Sequence, residues 1–288
     1  MNKLKIAKAI STITSIPILS IPLFLIISLV LSFNSEVFNL NKFISLEIFS
    51  LIFASFLPMA IILFWAKKLG TDRDISNRTD RFTPLIVSVI SYFIGFLICM
   101  IFNLDNFLTL LLLCYSINTC VVCIITAKWK ISIHTTGLSG PVAALILLLG
   151  PIGALFGILY PVLIWSRVIL NKHTLSQAIT GGVQGFFLTV LEIYLFMNLF
   201  NFNIIGLVSL TDSIYYILAI IITPVIFGIL SYTNKSKIIL IIAEIICLVV
   251  FLVFLPINIL VIFIAVSLTS ILVSVFAGSE FAWNDVLT

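Results

Sequence analysis

Residues 165–185 read WSRVILNKHTLSQAITGGVQG and lie between two long apolar segments. They hold an Arg, a Lys and one of the chain's two histidines, in a sequence that is 62% hydrophobic and only 9% charged. Such a composition cannot be packed into one water-soluble core, but it suits a chain that uses lipid as solvent. Apolar runs of about the ~20 residues needed to cross a bilayer recur along the length. The sequence therefore predicts an all-α, polytopic transmembrane bundle, and the polar stretch at 165–185 needs a reason beyond solubility.

Working outward, the segment after it is one long span over 175–199. Before it stand two shorter apolar segments, 138–149 and 152–165, with a Gly-Pro turn at Gly150–Pro151. At 1.5 Å per residue each covers only about 20 Å, less than the hydrocarbon thickness. Their flanking polar residues are thus expected below the membrane surface. Gly137, Gly140, Gly150, Gly153 and Gly157 would let these segments approach their neighbours closely.

Further towards the start, the sequence predicts spans at about 13–33, 44–66, 84–102 and 107–127. They are separated by a polar loop at 34–42, the stretch KKLGTDRDISNRTDRFT at 67–83 and a tight turn at 103–106. The stretch KWKISIHTT fills 128–136. Lys3, Lys5 and Lys8 precede the first apolar run, which is longer than a signal-peptide core of ~7–15 residues and reads as a membrane helix. Beyond a loop at 201–212, three more runs at 213–232, 238–256 and 257–277 bring the expected count to about ten. This divides the chain into 1–43 (first helix and loop), a core over 44–200, and additional helices over 201–288.

Ten crossings put fourteen of the fifteen Lys and Arg residues on one side, with only Lys42 on the other. That is the positive-inside bias of a cytosolic face, and it places both termini there. The five cysteines fall in apolar runs, and the CxxC spacing of Cys120 and Cys123 has no second pair or nearby His to complete a metal site.

Both histidines, His134 and His173, belong to the basic side, with Arg78, Arg81, Lys130, Ser132, Arg167 and Lys172. Guanidinium groups present forked donors that match phosphate oxygens, and imidazole serves as nucleophile or acid near neutral pH. For the lysines, contact with anionic lipid headgroups is the competing explanation. Thr174-Leu175-Ser176-Gln177 fits a capping box that opens the long helix, and a helix start beside His173 would itself favour a bound phosphate.

Ser166–Arg167, five residues, then His173 resembles the third motif of the type-2 phosphatidic acid phosphatase superfamily, which is related to vanadium haloperoxidases. Ile131-Ser132-Ile133-His134 resembles its second motif, Pro-Ser-Gly-His, and 31 residues separate His134 from Ser166. Asp74 to Arg81-Phe82 resembles the first motif, Lys, six residues, Arg-Pro. The resemblance covers about 44–199. It implies a metal-free, cofactor-free hydrolysis of a lipid phosphate or diphosphate, such as phosphatidic acid or an isoprenoid phosphate, through a phosphohistidine. His173 would be the nucleophile and His134 the general acid and base. Arg81, Arg167, Ser132 and Ser166 would hold the phosphate, with Arg78 competing for the place of Arg81 and Lys130 as a further contact. The implied partners are a membrane lipid and the bilayer, with no nucleic acid.

The chain departs from the pattern at five of eleven motif positions. Asp74 replaces lysine, Phe82 and Ile131 replace proline, Ile133 replaces glycine, and Gln177 stands where an aspartate orients the nucleophile. An amide oxygen fixes a tautomer but adds no charge. Asp74 and Asp80 are candidates to supply that carboxylate. Three readings from other classes stay open: a lipid-phosphate binder or carrier without turnover, a prenyltransferase using Asp72, Asp74 and Asp80 with magnesium, and a transporter using Glu47, Glu192 and Glu244. Glu192 lies nineteen residues past His173, about 28 Å along a helix, too far to serve the same site.

Overall fold

The computed structural model describes residues 3–34, 37–70, 75, 77–202 and 204. Among them the chain is almost wholly helical. Helix α1 (Lys3–Ile13) breaks at Thr14 and Ser15 and resumes as α2 (Ile16–Leu31). A two-residue hairpin follows, β1 (Phe33–Asn34) against β2 (Val37–Phe38). Then α3 (Leu40–Ser50) continues through a π-helical stretch, Leu51–Phe56, into α4 (Leu57–Leu69). After these come α5 (Phe82–Ile101), α6 (Asn106–Thr126), α7 (Ile133–Leu149), the short α8 (Pro151–Ala154), α9 (Leu159–Ile169) and α10 (Leu175–Leu199).

Five helical stretches, 40–69, 79–101, 106–126, 152–169 and 175–199, are long and apolar enough to cross a membrane. The pair α1–α2, bent by 48°, makes a sixth if taken as one span, and α7 is a shorter apolar helix. The protein is thus a helical membrane protein. The predicted spans at 213–277 and all but residues 201, 202 and 204 of the domain at 201–288 lie outside the described residues, as do Glu244, Cys247, Asp72 and Asp74.

Several predicted boundaries move. The first span is not one helix over 13–33: residues 3–13 form their own helix, because the Thr-Ser-Ile-Pro sequence at 14–17 stops the first and Pro at the second position starts the next. The loop at 34–42 is a hairpin that already enters α3 at Leu40. The stretch at 128–136 is half helix, since α7 starts at Ile133. Helix α9 runs on to Ile169, so Ser166 and Arg167 are helical and not in a loop.

Helices α6 and α7 are buried nearly all round, as expected of central helices. Leu108, Leu111 and Leu112 of α6 join Phe24 and Ile27 of α2 and the buried run Ala143–Leu147 of α7 in one core. Helix α10 meets α7 through small residues. A Cβ added at Gly181 would stand 2.5 Å from Thr135 Oγ1, and one at Gly185 2.6 Å from the Thr136 carbonyl oxygen. Gly140 faces Thr189 and Gly153 faces the Leu145 backbone, as expected of close-packing glycines, but Gly157 faces open space. Gly150 acts through its backbone instead, where a φ of +59° ends α7.

The two ends of the bundle differ in charge. At one end Lys42 of α3 pairs with Asp105 before α6 at 2.7 Å. At the other, α1, the 77–81 turn, the 128–132 connection and the α9–α10 turn come together, carrying the basic residues.

Candidate functional site

The α9–α10 turn fixes the spacing between Arg167 and His173. Asn171 adopts φ +52°, and two hydrogen bonds close α9 behind it: Lys172 N–H to the Arg167 carbonyl at 3.1 Å and Asn171 N–H to the Val168 carbonyl at 2.9 Å. This is a Schellman closure, with Asn as the residue best able to take the left-handed conformation after glycine. Two residues later Thr174 caps α10, and the predicted capping box with Gln177 is present. His173 is therefore wedged between one helix's end and the next one's start.

Its ring is oriented by two acceptors. Nδ1 lies 3.2 Å from the Lys130 carbonyl oxygen and 3.3 Å from Gln177 Oε1. Gln177 Oε1 also accepts the Thr174 N–H at 3.2 Å, so the oxygen and not the amide nitrogen faces the ring. Two oxygens can only accept; Nδ1 carries the proton, and Nε2 keeps its lone pair. Gln177 thus orients the ring without contributing a charge.

His173 is buried, and it sits in a positive field. Burial first, then Arg81, Arg167 and Lys130, push its pKa down to about 3. The imidazole is neutral at physiological pH. Since an unfolded chain carries an ordinary histidine near 6.5, it binds a proton where the folded protein does not. This group leaves stability unchanged above about pH 7 and lowers it as pH falls from about 6.5 towards 3, by about 1.4 kcal/mol per pH unit. Melting curves of the detergent-purified protein should lose that share of their acid slope in His173→Gln; an unaltered slope would contradict the neutral, buried imidazole.

The other candidates divide. Arg81 is buried in the turn before α5, where its Nε donates to the Ile75 carbonyl at 2.7 Å. Ile75 holds φ +42°, unusual for a β-branched residue, and its side chain is buried. Arg78 caps that turn through its backbone and stays partly exposed, so Arg81 and not Arg78 faces the histidine. Ser132 caps α7, its Oγ accepting Thr135 N–H, and its own N–H donates to the Gln177 carbonyl at 3.2 Å. That bond ties the connection before α7 to the start of α10. Ile131 is fully buried against Leu85 and Val122.

His134, in the first turn of α7, lines the same cavity as His173 and Arg81. The cavity, of about 240 Å³, runs from these residues down between α2, α4, α5, α6 and α7 to Leu111, Asn118 and Thr189. Its head is basic and its body mostly apolar.

Asp80 does not reach the histidine. Its Oδ2 accepts from Asn77 at 3.1 Å, and its carbonyl accepts from the Trp65 indole. The expectation that it supplies the orienting charge is not met, because Lys130 and Gln177 already occupy Nδ1. Among the described residues no group of three His, Cys, Asp or Glu is placed to hold a metal.

Helix α1 contributes what sequence reading missed. Arg167 is fully buried and donates from Nη1 to Ser11 Oγ at 2.6 Å, while Ser166 Oγ donates to the Ala7 carbonyl at 2.8 Å. Ser166 thus serves to dock α1, and Ser11, Thr12 and Ser15 form part of the cavity wall. The periodic lysines of residues 3–8 signal a helix there, but nothing local signals its partner. Comparison of the chain with protein-family models, curated proteins and solved structures found no match.

Proposed function

We propose that the protein is an integral membrane phosphatase that hydrolyses a lipid phosphate or diphosphate through a phosphohistidine on His173. The observation that carries this reading is a neutral histidine with a free-standing Nε2 lone pair, held in the field of Arg81, Arg167 and Lys130 at the head of a largely apolar cavity. A positive field around an uncharged nucleophile favours an anionic electrophile, and an apolar cavity below it suits a hydrocarbon tail. Nε2 attacks phosphorus and the P–O bond to the alcohol breaks, while His134 gives the leaving oxygen its proton. His134 then takes a proton from water, whose oxygen attacks phosphorus and restores His173. Arg81, Arg167 and Ser132 hold the equatorial oxygens as charge gathers on them.

A binder or carrier without turnover is the second reading. It is favoured by Gln177, which orients the ring with no negative charge to stabilise a cationic imidazole. Phosphate release from a panel of lipid phosphates and diphosphates, measured on purified protein with and without EDTA, separates the two. Release that survives chelation supports the phosphatase. Binding without release supports the carrier, and release of soluble sugar phosphates alone overturns the lipid assignment.

The basic end belongs, on this reading, to the cytosolic face of a bundle of about ten spans. A cysteine placed at Asn77, which is exposed at that end, should resist a membrane-impermeant thiol reagent on intact cells and react after permeabilisation. Ready labelling of intact cells reverses the orientation.

A further inference from the structure

The phosphatase reading makes no use of the cavity's inner end, which carries a polar network of its own inside the bilayer. Asn118 of α6 stands at its centre. The Asn118 amide nitrogen, with two N–H groups to give, has three acceptors in reach: Glu192 Oε2 at 3.0 Å, the Cys114 carbonyl at 3.0 Å and Thr189 Oγ1 at 3.2 Å. Its Oδ1 accepts from Gln184 Nε2 at 2.9 Å. Glu192 is only 3% exposed, and its second oxygen, Oε1, has no hydrogen-bond partner. The carboxyl stands one side chain behind the cavity wall, since Asn118 and Cys114, both wall residues, are its neighbours.

We propose that Glu192 is a proton-binding site inside the bilayer that exchanges its proton through the cavity. Ionisable groups at this depth are costly and have a use by default. The ligand's identity follows from the surroundings. Hard metal cations take about six or more oxygen ligands. Here Asn118 turns its N–H groups towards the carboxyl and spends its own oxygen on Gln184, leaving too few acceptors for a metal. A proton needs one lone pair, which Oε1 has. From α6 the Cys114 thiol faces the carboxyl. The titratable groups of α7 and α9, His134, Tyr160 and Arg167, belong to the other end: Tyr160 bonds the Ile179 carbonyl, thirteen residues or about 20 Å back along α10. On α10 itself Glu192 is the only Asp, Glu, Lys or Arg. Among the described residues no Lys or Arg faces it, and a proton is the cation that these surroundings admit. Exchange takes place when the Asn118 side chain swings aside from the wall: hydronium in the cavity then gives its proton to Oε1 and leaves as water, and the reverse restores the carboxylate.

The network also leads away from Glu192. Gln184 Oε1 lies 3.3 Å from Thr136 Oγ1, whose single hydroxyl proton has three acceptors in reach: Gln184 Oε1, the Gly181 carbonyl at 2.9 Å and the Ser132 carbonyl at 3.2 Å. The network thus extends from the intramembrane acid as far as Thr136 in the first turn of α7.

Infrared difference spectra of the whole protein in detergent test the site without reference to any substrate. A protonated-carboxyl C=O band is expected at neutral pH, shifting on transfer to heavy water. It should vanish in Glu192→Gln, persist in Glu47→Gln and move in Glu192→Asp, which keeps an acid there should the glutamine variant fold poorly. A band absent from the wild type, unchanged by Glu192→Gln or Glu192→Asp, or inert in heavy water would overturn the proposal.

Discussion

His173→Ala is expected to lower phosphate release from the preferred lipid phosphate by at least about 10³-fold, the usual scale for loss of a nucleophile. The size follows from the ring's setting. Its two acceptors leave one nitrogen lone pair, Arg81 lines the cavity beside it, and Arg167 and Lys130 add to the positive field at the ring. Alanine removes that lone pair and keeps the cations, so lipid phosphate should still bind. A retained Kd with lost turnover is the expected pattern. If turnover survives within tenfold in protein that melts normally, His173 is not the nucleophile.

Gly185→Leu should damage the protein severely through the α7–α10 contact. A Cβ at Gly185 would lie 2.6 Å from the Thr136 carbonyl oxygen and 3.1 Å from Thr136 Cα. Backbone atoms cannot swing aside as a side chain can, so the helices must separate. Overpacking of this kind costs about 1–3 kcal/mol. It would also pull Thr136 from its bond to the Gly181 carbonyl, next to the cap of α7. A clear drop in melting temperature and in monodisperse yield is expected. Gly157→Ala serves as the control: nothing lies within 4 Å of its added Cβ, so it should change little. Equal behaviour of the two variants would contradict the packing described.

The features legible in the sequence are those set by local rules. Periodic hydrophobicity locates α5, α6 and α10 to within two residues, because those helices are continuous and apolar throughout. The Thr174–Gln177 capping box is readable for the same reason, since both partners lie within one turn. Boundaries fail where polar residues are helical. Ser166 and Arg167 look like loop residues, yet they lie inside α9, buried by a helix from the far end of the chain. Asp80 fails as an orienting carboxylate because proximity between loops is a tertiary fact. Gln177 does orient His173, and its geometry is foreseeable from the cap that fixes its amide.

The docking of α1 on α9 has a consequence for how the protein is made. Ser11 and Arg167 are 156 residues apart. At about 5–20 residues per second of synthesis, Ser11 leaves the ribosome roughly 8–30 s before its partner exists. During that interval α1, with its three lysines, lacks the Arg167 and Ser166 side chains that fasten it in the folded protein. The basic end of the cavity is therefore assembled late, when the α9–α10 turn arrives to receive a helix made well before it.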